Sequence, residues 1–467
     1  MNGVPNVKIV IIGNSATAVG AIESIRQHNQ RAEIVVVTQE SSLIYSRPML
    51  SHYLAGEIDE ERLCYRGSDF YTEHGVKAIL DSEVVAIEPQ EHRIRTRSGE
   101  AIRYDKLLIC TGGVPIVPPI AGLDPGTPGV FTFTTLADTQ GVIEYLGRAG
   151  QRPAPQDVAD AGNQIGDICE AVVVGGGMIG IKATDALVSR GLHVTMVELA
   201  PRILSAGFDE VASDMVSRIF TEGGVDVLTE NTVTAVHTEG GSETALGPTP
   251  APGGRISAVT LKDGRTLRCD VLILGIGVRP NARIAEEAGL DVRRGIVVDE
   301  YMRTSEPDIY AAGDVAEAYD LVVDMNRTVA IWPNAYRQGA IAGAHMVGVA
   351  RADQGGVAMN TIEALGVPAM AIGNANASAD EGHEVLSELH ERERTYRRLV
   401  IKDDLLVGAI LVGNIERAGI YTGLIRNKIP IGDVLTGPRR QNLMNVNLLS
   451  LPDTYRKHVV TGAGIEV

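Results

Sequence analysis

Cysteine is scarce, and the four that occur, Cys64, Cys110, Cys169 and Cys269, stand far apart with no Cys-x-x-Cys pair. That spacing argues against a disulfide framework, a zinc ribbon and iron–sulfur ligation by this chain's own thiols. No metal site is expected, and any iron–sulfur chemistry belongs to a partner. Positive charge is also short: 42 Lys and Arg stand against 59 Asp and Glu, a formal net charge of -17. Phosphate-rich surfaces need clustered Lys and Arg, so neither a nucleic acid nor an anionic membrane is an expected partner. No apolar run is long enough to cross a bilayer, and the chain enters a strand at Val7 without a charged-then-apolar leader, so a cytoplasmic location is expected. At 467 residues the chain exceeds what one core organises, which implies two to four domains.

Glycine, by contrast, is plentiful and patterned. Val172-Val173-Val174 reads as a buried strand, Gly175-Gly176-Gly177-Met178-Ile179-Gly180 as a phosphate-binding turn, and the residues from Ile181 as a helix leading to the strand His193 to Glu198. In such a βαβ unit Gly175 makes the tight turn, Gly177 lets the backbone approach a pyrophosphate, and Gly180 lets the helix sit on the strand. Glu198 stands where a ribose hydroxyl is accepted.

An earlier stretch repeats this grammar in degraded form. Val7 to Ile12 is a buried strand, Gly13-Asn14-Ser15-Ala16-Thr17-Ala18 follows, and the next strand, Glu33 to Thr38, runs toward Glu40 as a ribose acceptor. Ser15 and Ala18 replace the second and third glycines, yet remain small enough for a phosphate to come close. Tyr45-Ser46-Arg47-Pro48 comes next; Arg47 is suited to a pyrophosphate and Pro48 to stiffening the backbone beside a ring system. Two alternating segments then lead to a closing strand that ends in Thr111-Gly112.

The second half mirrors this, closing through Val271-Leu272-Ile273-Leu274 on Gly277-Val278-Arg279-Pro280. The offset is 162 residues from Gly13 to Gly175 and 165 from Gly112 to Gly277. A nearly constant offset implies two related nucleotide-binding domains, the second inserted in the first. Ala312-Gly313-Asp314 follows a strand at the expected start of a helix; after two nucleotide domains Asp314 reads as a hydrogen-bond acceptor for a flavin's polyol rather than a simple cap. Trp332, the one tryptophan, opens a helix whose N-terminus suits the electron-rich edge of a flavin. Residues 350 to 395 show few regular features, Arg398 to Val412 reads as two strands around Asp403-Asp404, and Ile415 to Arg426 as a helix. The polar stretches Arg148 to Gly166 and Gly240 to Gly254 read as solvent loops, and the residues from Gly437 as an arm.

The ordered set of Gly13 to Ala18, Tyr45 to Pro48, Thr111-Gly112, Gly175 to Gly180, Gly277 to Pro280 and Ala312 to Asp314 resembles the FAD-dependent pyridine nucleotide-disulfide oxidoreductase superfamily. The Tyr-Ser-Arg-Pro loop, Trp332 to Ala335 and Gly419 to Arg426 resemble its NADH:rubredoxin and nitrite reductase-type branch. They also resemble the FAD subunits of phenylglyoxylate dehydrogenase and tungsten aldehyde oxidoreductase. The resemblance implies an α/β fold with two Rossmann-like dinucleotide-binding domains plus a C-terminal α+β domain. It divides the chain into an FAD-binding domain at 1–120 and 271–349, an NAD-binding domain at 121–270 and a C-terminal interface domain at 350–467. It implies FAD at Gly13, Ser15, Glu40, Arg47, Pro48, Thr111, Gly112, Asp314 and Trp332. It implies NAD(H) at Gly175, Gly177, Ile179, Gly180, Glu198 and Gly277. Flavin chemistry then needs no catalytic side chain, and the electrons pass to an iron–sulfur protein or to subunits of a larger complex.

Three departures from the family pattern matter. No cysteine stands in the loop near Ser46, which argues against thiol or peroxide chemistry at the flavin. His52 stands where ferredoxin-reductase relatives have lysine, and Lys182 replaces an acid after the nicotinamide-site glycine. The competing readings are a subunit of a 2-oxoacid or aldehyde oxidoreductase complex, a free-standing NADH:rubredoxin or ferredoxin reductase, a flavin-binding redox sensor or scaffold, and a thiol or CoA-disulfide reductase, against which the missing cysteine stands.

Overall fold

The computed structural model describes residues 7–149, 169–239, 254–434, 443–444 and 446. The two polar loops, at 150–168 and 240–253, and most of the C-terminal arm lie outside the described residues.

The uninterrupted β-branched runs become parallel strands, because a sheet covered on both faces needs apolar side chains on both. The first sheet runs in the order Ile309–Ala311, Lys106–Ile109, Lys8–Ile12, Glu33–Val37, Val76–Ile79, all parallel. The second runs Asp226–Leu228, His193–Val197, Glu170–Val174, Val271–Leu274, Val130–Thr132, again all parallel. Each sheet is followed by a three-stranded antiparallel meander inserted before its closing strand, Val84–Glu88 to Ala101–Arg103 in the first and Val233–Glu239 to Thr266–Arg268 in the second. The repeat legible in the glycine spacing is therefore a repeat of architecture.

The expected boundary at 270/271 falls one strand too early. Val271–Leu274 pairs in register with Ala171 to Val174, so it belongs to the second sheet. The chain returns to the first domain after it, where Val278–Pro280 pairs antiparallel with Gly113–Pro115, zipping the outgoing and incoming crossovers together.

Residues 350 to 395 also depart from expectation. They hold three strands, Met359–Ala364, Val367–Gly373 and Glu384–His390, which join Thr395–Lys402 and Leu405–Val412 in a five-stranded antiparallel sheet. The second of them carries Pro368, two alanines and a glycine, residues of low strand propensity that the sheet overrides. Asp403 and Asp404 do form the hairpin turn, both at positive φ. Helix Ala418–Arg426 covers the sheet, and Leu443, Met444 and Val446 are buried beside it, so this part of the arm packs on its own domain. Tyr421 Oη donates to the Leu443 and Met444 carbonyls at 3.2 and 3.0 Å.

One continuous apolar core joins the second and third domains, with Ile362, Ala371 and Ile410 packed among Phe208, Ala212 and Phe220. Within it Tyr396 Oη donates to Asp209 at 2.6 Å, and Leu365 N donates to Asp185 at 2.8 Å. This docking holds the edge strand containing Asn360 beside the cleft described next. No helix among the described residues is long and apolar enough to cross a membrane.

Candidate functional site

A cleft of about 730 Å³ opens between the two parallel-sheet domains, at the carboxyl ends of their strands. That volume is in the range of cofactor sites, and the location is where open α/β sheets bind ligands. Of the residues singled out from the sequence, Gly13, Ser15, Glu40, Arg47, Pro48, Thr111, Gly112, Gly177, Ile179, Gly277, Asp314 and Trp332 all line it. Gly175, Gly180 and Glu198 do not; they build the second loop from behind.

The first loop turns at Gly13, with φ +118 and its N–H bonded to the Val37 carbonyl at 2.9 Å. A Cβ there would lie 2.3 Å from the Cys110 carbonyl oxygen, so no other residue fits. Ser15 then starts helix Ala16–His28 without a side-chain cap, leaving the N-terminal N–H groups unclaimed. The second loop turns the same way at Gly175, φ +108, with its N–H on the Val197 carbonyl at 2.8 Å. Gly177 starts helix Met178–Ser189, also uncapped, and nothing lies within 4 Å of where its Cβ would stand. That open space is what close approach of a pyrophosphate needs. Glu198 accepts from Gly176 N at 2.6 Å and from Ala200 N at 2.7 Å, so the acid that ends the strand also fixes the loop.

Glu40 is held similarly. Tyr45 Oη donates to it at 2.6 Å, and Arg47 forms an ion pair with it. Arg47 also donates to the Thr134 carbonyl at 2.7 Å, across to the chain entering the second domain. Two of the guanidinium's hydrogen bonds are therefore made within the protein. Thr111 Oγ1 donates to the Asn281 carbonyl at 2.7 Å and Asn281 N returns a bond to the Gly112 carbonyl at 2.9 Å, so the two closing loops clasp each other beside the cleft.

Asp314 is the middle residue of a single 3-10 turn, Gly313–Val315, in place of the expected helix, and a strand follows at once. Gly313 N is bonded to Gln338 Oε1 at 2.8 Å, which holds the turn against helix Trp332–Met346. Burial pushes the Asp314 carboxyl above the usual range, with nearby Arg47 working against that shift. Trp332 is half-buried, lines the cleft, and packs edge-on against Tyr65 with ring centroids 5.0 Å apart. The first turn of its helix carries no acidic residue and no side-chain cap, so its positive end also reaches the cleft.

Sequence reasoning missed several contributors. Tyr45 and Thr134 anchor Glu40 and Arg47; the first sits inside a quoted motif, but the second had no local signal. Asn360 arrives from the third domain, where no strand was expected. Cys110 lies under Gly13, and burial drives its thiol far above the ordinary range, so it is kept protonated and is not a nucleophile. No group of three metal-ligating side chains occurs among the described residues.

This arrangement, two glycine turns of one repeat sharing one cleft, is that of a two-dinucleotide oxidoreductase. The chain belongs to the pyridine nucleotide-disulphide oxidoreductase family, whose model matches residues 7–339. Membership makes it an FAD-dependent oxidoreductase that works with NAD(H). Residues 359–429 match the rubredoxin NAD+ reductase C-terminal domain. The chain is 30% identical to NADH-dependent phenylglyoxylate dehydrogenase subunit epsilon of Aromatoleum evansii, over 90% of this chain and 92% of that one. It is also 30% identical to the nitrite reductase (NADH) large subunit of Escherichia coli, over 91% of this chain but only 46% of that longer protein. In three dimensions it is similar to a covalent putidaredoxin reductase–putidaredoxin complex, with a TM-score of 0.79, 24% identity, and coverage of 99% of this chain and 100% of that one.

Proposed function

We propose that this chain is an electron-transfer subunit that exchanges hydride with NAD(H) and single electrons with an iron–sulfur partner, within a 2-oxoacid (phenylglyoxylate-type) or aldehyde oxidoreductase complex. The observation that carries the reading is the cleft lined by both glycine loops, whose one lining thiol among the described residues, Cys110, is buried. Two features support the fit of the cofactors. The helix starts at Ser15 and Gly177 are uncapped and line the cleft, with open space where a Cβ on Gly177 would stand, and the Asp314 carboxylate faces the cleft with no hydrogen-bond donor among the described residues.

In this reading Gly13, Ser15, Glu40, Arg47, Pro48, Thr111, Gly112, Asp314 and Trp332 hold FAD. Gly175, Gly177, Ile179, Gly180, Glu198 and Gly277 hold NAD(H). When bound, FAD supplies the exchange between two-electron and one-electron transfer. The protein orients and shields. Arg47 ties Glu40 to Thr134 of the second domain, the uncapped helix starting at Trp332 favours negative charge, and Glu198 disfavours a 2'-phosphate. The complex is favoured by the 92% coverage of the phenylglyoxylate dehydrogenase subunit, because the match extends through the third domain. A free-standing rubredoxin or ferredoxin reductase is the second reading, favoured by the C-terminal domain match and by the putidaredoxin reductase fold.

Anaerobic NADH added to the purified chain should bleach a stoichiometric FAD absorbance within the dead time to seconds. Absence of bound flavin, or flavin that NADH leaves oxidised, overturns the proposal. Purification from the native source separates the two readings: co-eluting iron–sulfur subunits support the complex, and a lone flavoprotein that reduces rubredoxin supports the free enzyme.

A further inference from the structure

Six charged side chains line the cleft: Glu40, Arg47, Glu83, Lys182, Arg283 and Asp314. Four are neutralised within the protein. Glu40 pairs with Arg47, Glu83 with Arg97 at 2.6 Å, and Arg283 with Glu287 at 2.9 Å. Among the described residues Asp314 and Lys182 are the two that have no ion pair. Asp314 is accounted for by the flavin polyol in the proposed function. Lys182 is not accounted for.

The position of Lys182 narrows what it can meet. It stands one turn into helix Met178–Ser189, on the face shared with Met178 and Ile179, while Ile181, Ala183 and Thr184 point into the core. Its Nζ does not turn back toward the glycine loop. It reaches across the domain boundary and donates to the Pro48 carbonyl at 3.4 Å, the sole hydrogen bond it makes among the described residues. Pro48 belongs to the wall of the first domain, in the one-turn helix Arg47–Met49, and helix Leu50–Ala55 after it packs on Lys182's own helix. The ammonium is thus fixed at the seam of the two dinucleotide sites, on the flavin side. Burial there lowers its proton affinity, with no carboxylate offsetting the loss. A half-buried ammonium that lines the cleft and has no carboxylate partner among the described residues is free to meet negative charge on a ligand or developed in the reaction.

We propose that Lys182 is a positioning residue that compensates the negative charge which hydride transfer creates on the flavin. This rests on the reading that FAD and NAD(H) share the cleft. In the transfer a hydride leaves the nicotinamide, which becomes NAD+, and the flavin takes up the proton and both electrons, ending with one more negative charge. An ammonium beside Pro48 favours that product over oxidised flavin and so biases the pair toward reduction by NADH.

The test uses the purified chain with its FAD and the variants Lys182→Gln, Lys182→Glu and Lys182→Arg. Two readouts do not depend on turnover: the equilibrium between free NADH and enzyme-bound flavin, and the affinity for sulfite, which adds to the flavin to give an anionic adduct. Removing the charge should move the equilibrium about tenfold toward oxidised flavin and weaken sulfite binding about tenfold, a change of order expected for one partly screened charge. Lys182→Glu should shift both further in the same direction, and Lys182→Arg should restore both. If Lys182→Gln retains FAD and keeps both constants within about twofold of the parent, the proposal is overturned. A rise in the NADH dissociation constant with an unmoved sulfite affinity also overturns it, since Lys182 would then serve the NAD pyrophosphate. A parent chain that binds no FAD overturns the proposed function itself, whereas a parent that binds and reduces FAD while Lys182→Gln changes nothing overturns this inference alone.

Discussion

The two glycine loops are copies that solved one steric problem differently. Both must turn sharply against their closing strand, and both keep glycine there: a Cβ on Gly13 would meet the Cys110 carbonyl, and one on Gly175 the Gly275 carbonyl at 2.7 Å. They part at the last position. Gly180 presses so closely on its own loop that a Cβ would lie 1.8 Å from the Gly175 carbonyl, whereas Ala18 occupies that place in the first copy, with its Cβ buried. Helix Ala16–His28 makes its close approach elsewhere, to helix Trp332–Met346. Gly20 would strike the Tyr336 carbonyl at 2.2 Å, and Gly339 and Gly343 would strike the Thr17 and Ala21 carbonyls at 2.0 and 2.5 Å. The glycines missing from the first fingerprint reappear at this crossing. What reads as decay of a motif is a change of packing partner, in a domain that must also hold helix Trp332–Met346 against the turn carrying Asp314.

Breaking each loop separately sharpens the contrast. Gly180→Ala has to lift the helix off its strand at a cost of about 3 kcal/mol. Stopped-flow absorbance should show flavin still bound and its reduction by NADH slowed by about 10²-fold. Gly13→Ala, the matching lesion in the first copy, combines a forbidden φ with the same kind of clash and should yield a protein purified without flavin, as its absorption spectrum would reveal. Next in size, Arg47→Ala removes charged hydrogen bonds to Glu40 and to Thr134; FAD titrated by fluorescence should bind about 30-fold more weakly, or about 2 kcal/mol.

Smaller effects belong to one acid of each site, Glu198 and Asp314. Glu198→Gln should lower the preference for NADH over NADPH by about tenfold in steady-state kcat/KM, leaving FAD content unchanged. The least effect is a pH-dependent one at Asp314. Burial raises its carboxyl in the folded chain, so the ionised form costs stability that is absent while the acid is protonated and appears as pH rises through the raised value. Flavin-stripped Asp314→Asn should melt about 2–4 °C above the parent at pH 7, and the gap should close below about pH 4, where both states of the parent are neutral.

The second loop was readable because its three glycines, helix and acid lie within one run of chain. The first was readable only through its offset from the second. Thr134, Asn360 and the ion pairs that leave Lys182 alone had no such signature. Arg47 is 87 residues from Thr134 in sequence, and Lys182 is 134 from Pro48. The strand Val367–Gly373 stayed hidden because alanine, proline and glycine carry little strand preference; pairing with Leu405–Val412 on one side and Met359–Ala364 on the other decides its conformation.

By itself the sequence determined the repeat, the turn glycines, the acids that end the second strands and the lack of a redox cysteine pair. These follow from backbone sterics and short spacing, which operate within a few residues. Only the tertiary structure decided which charges in the cleft are neutralised, where the second domain ends, and that Lys182 stands at the seam. Those depend on contacts between segments far apart in the chain, and local propensity carries no record of them.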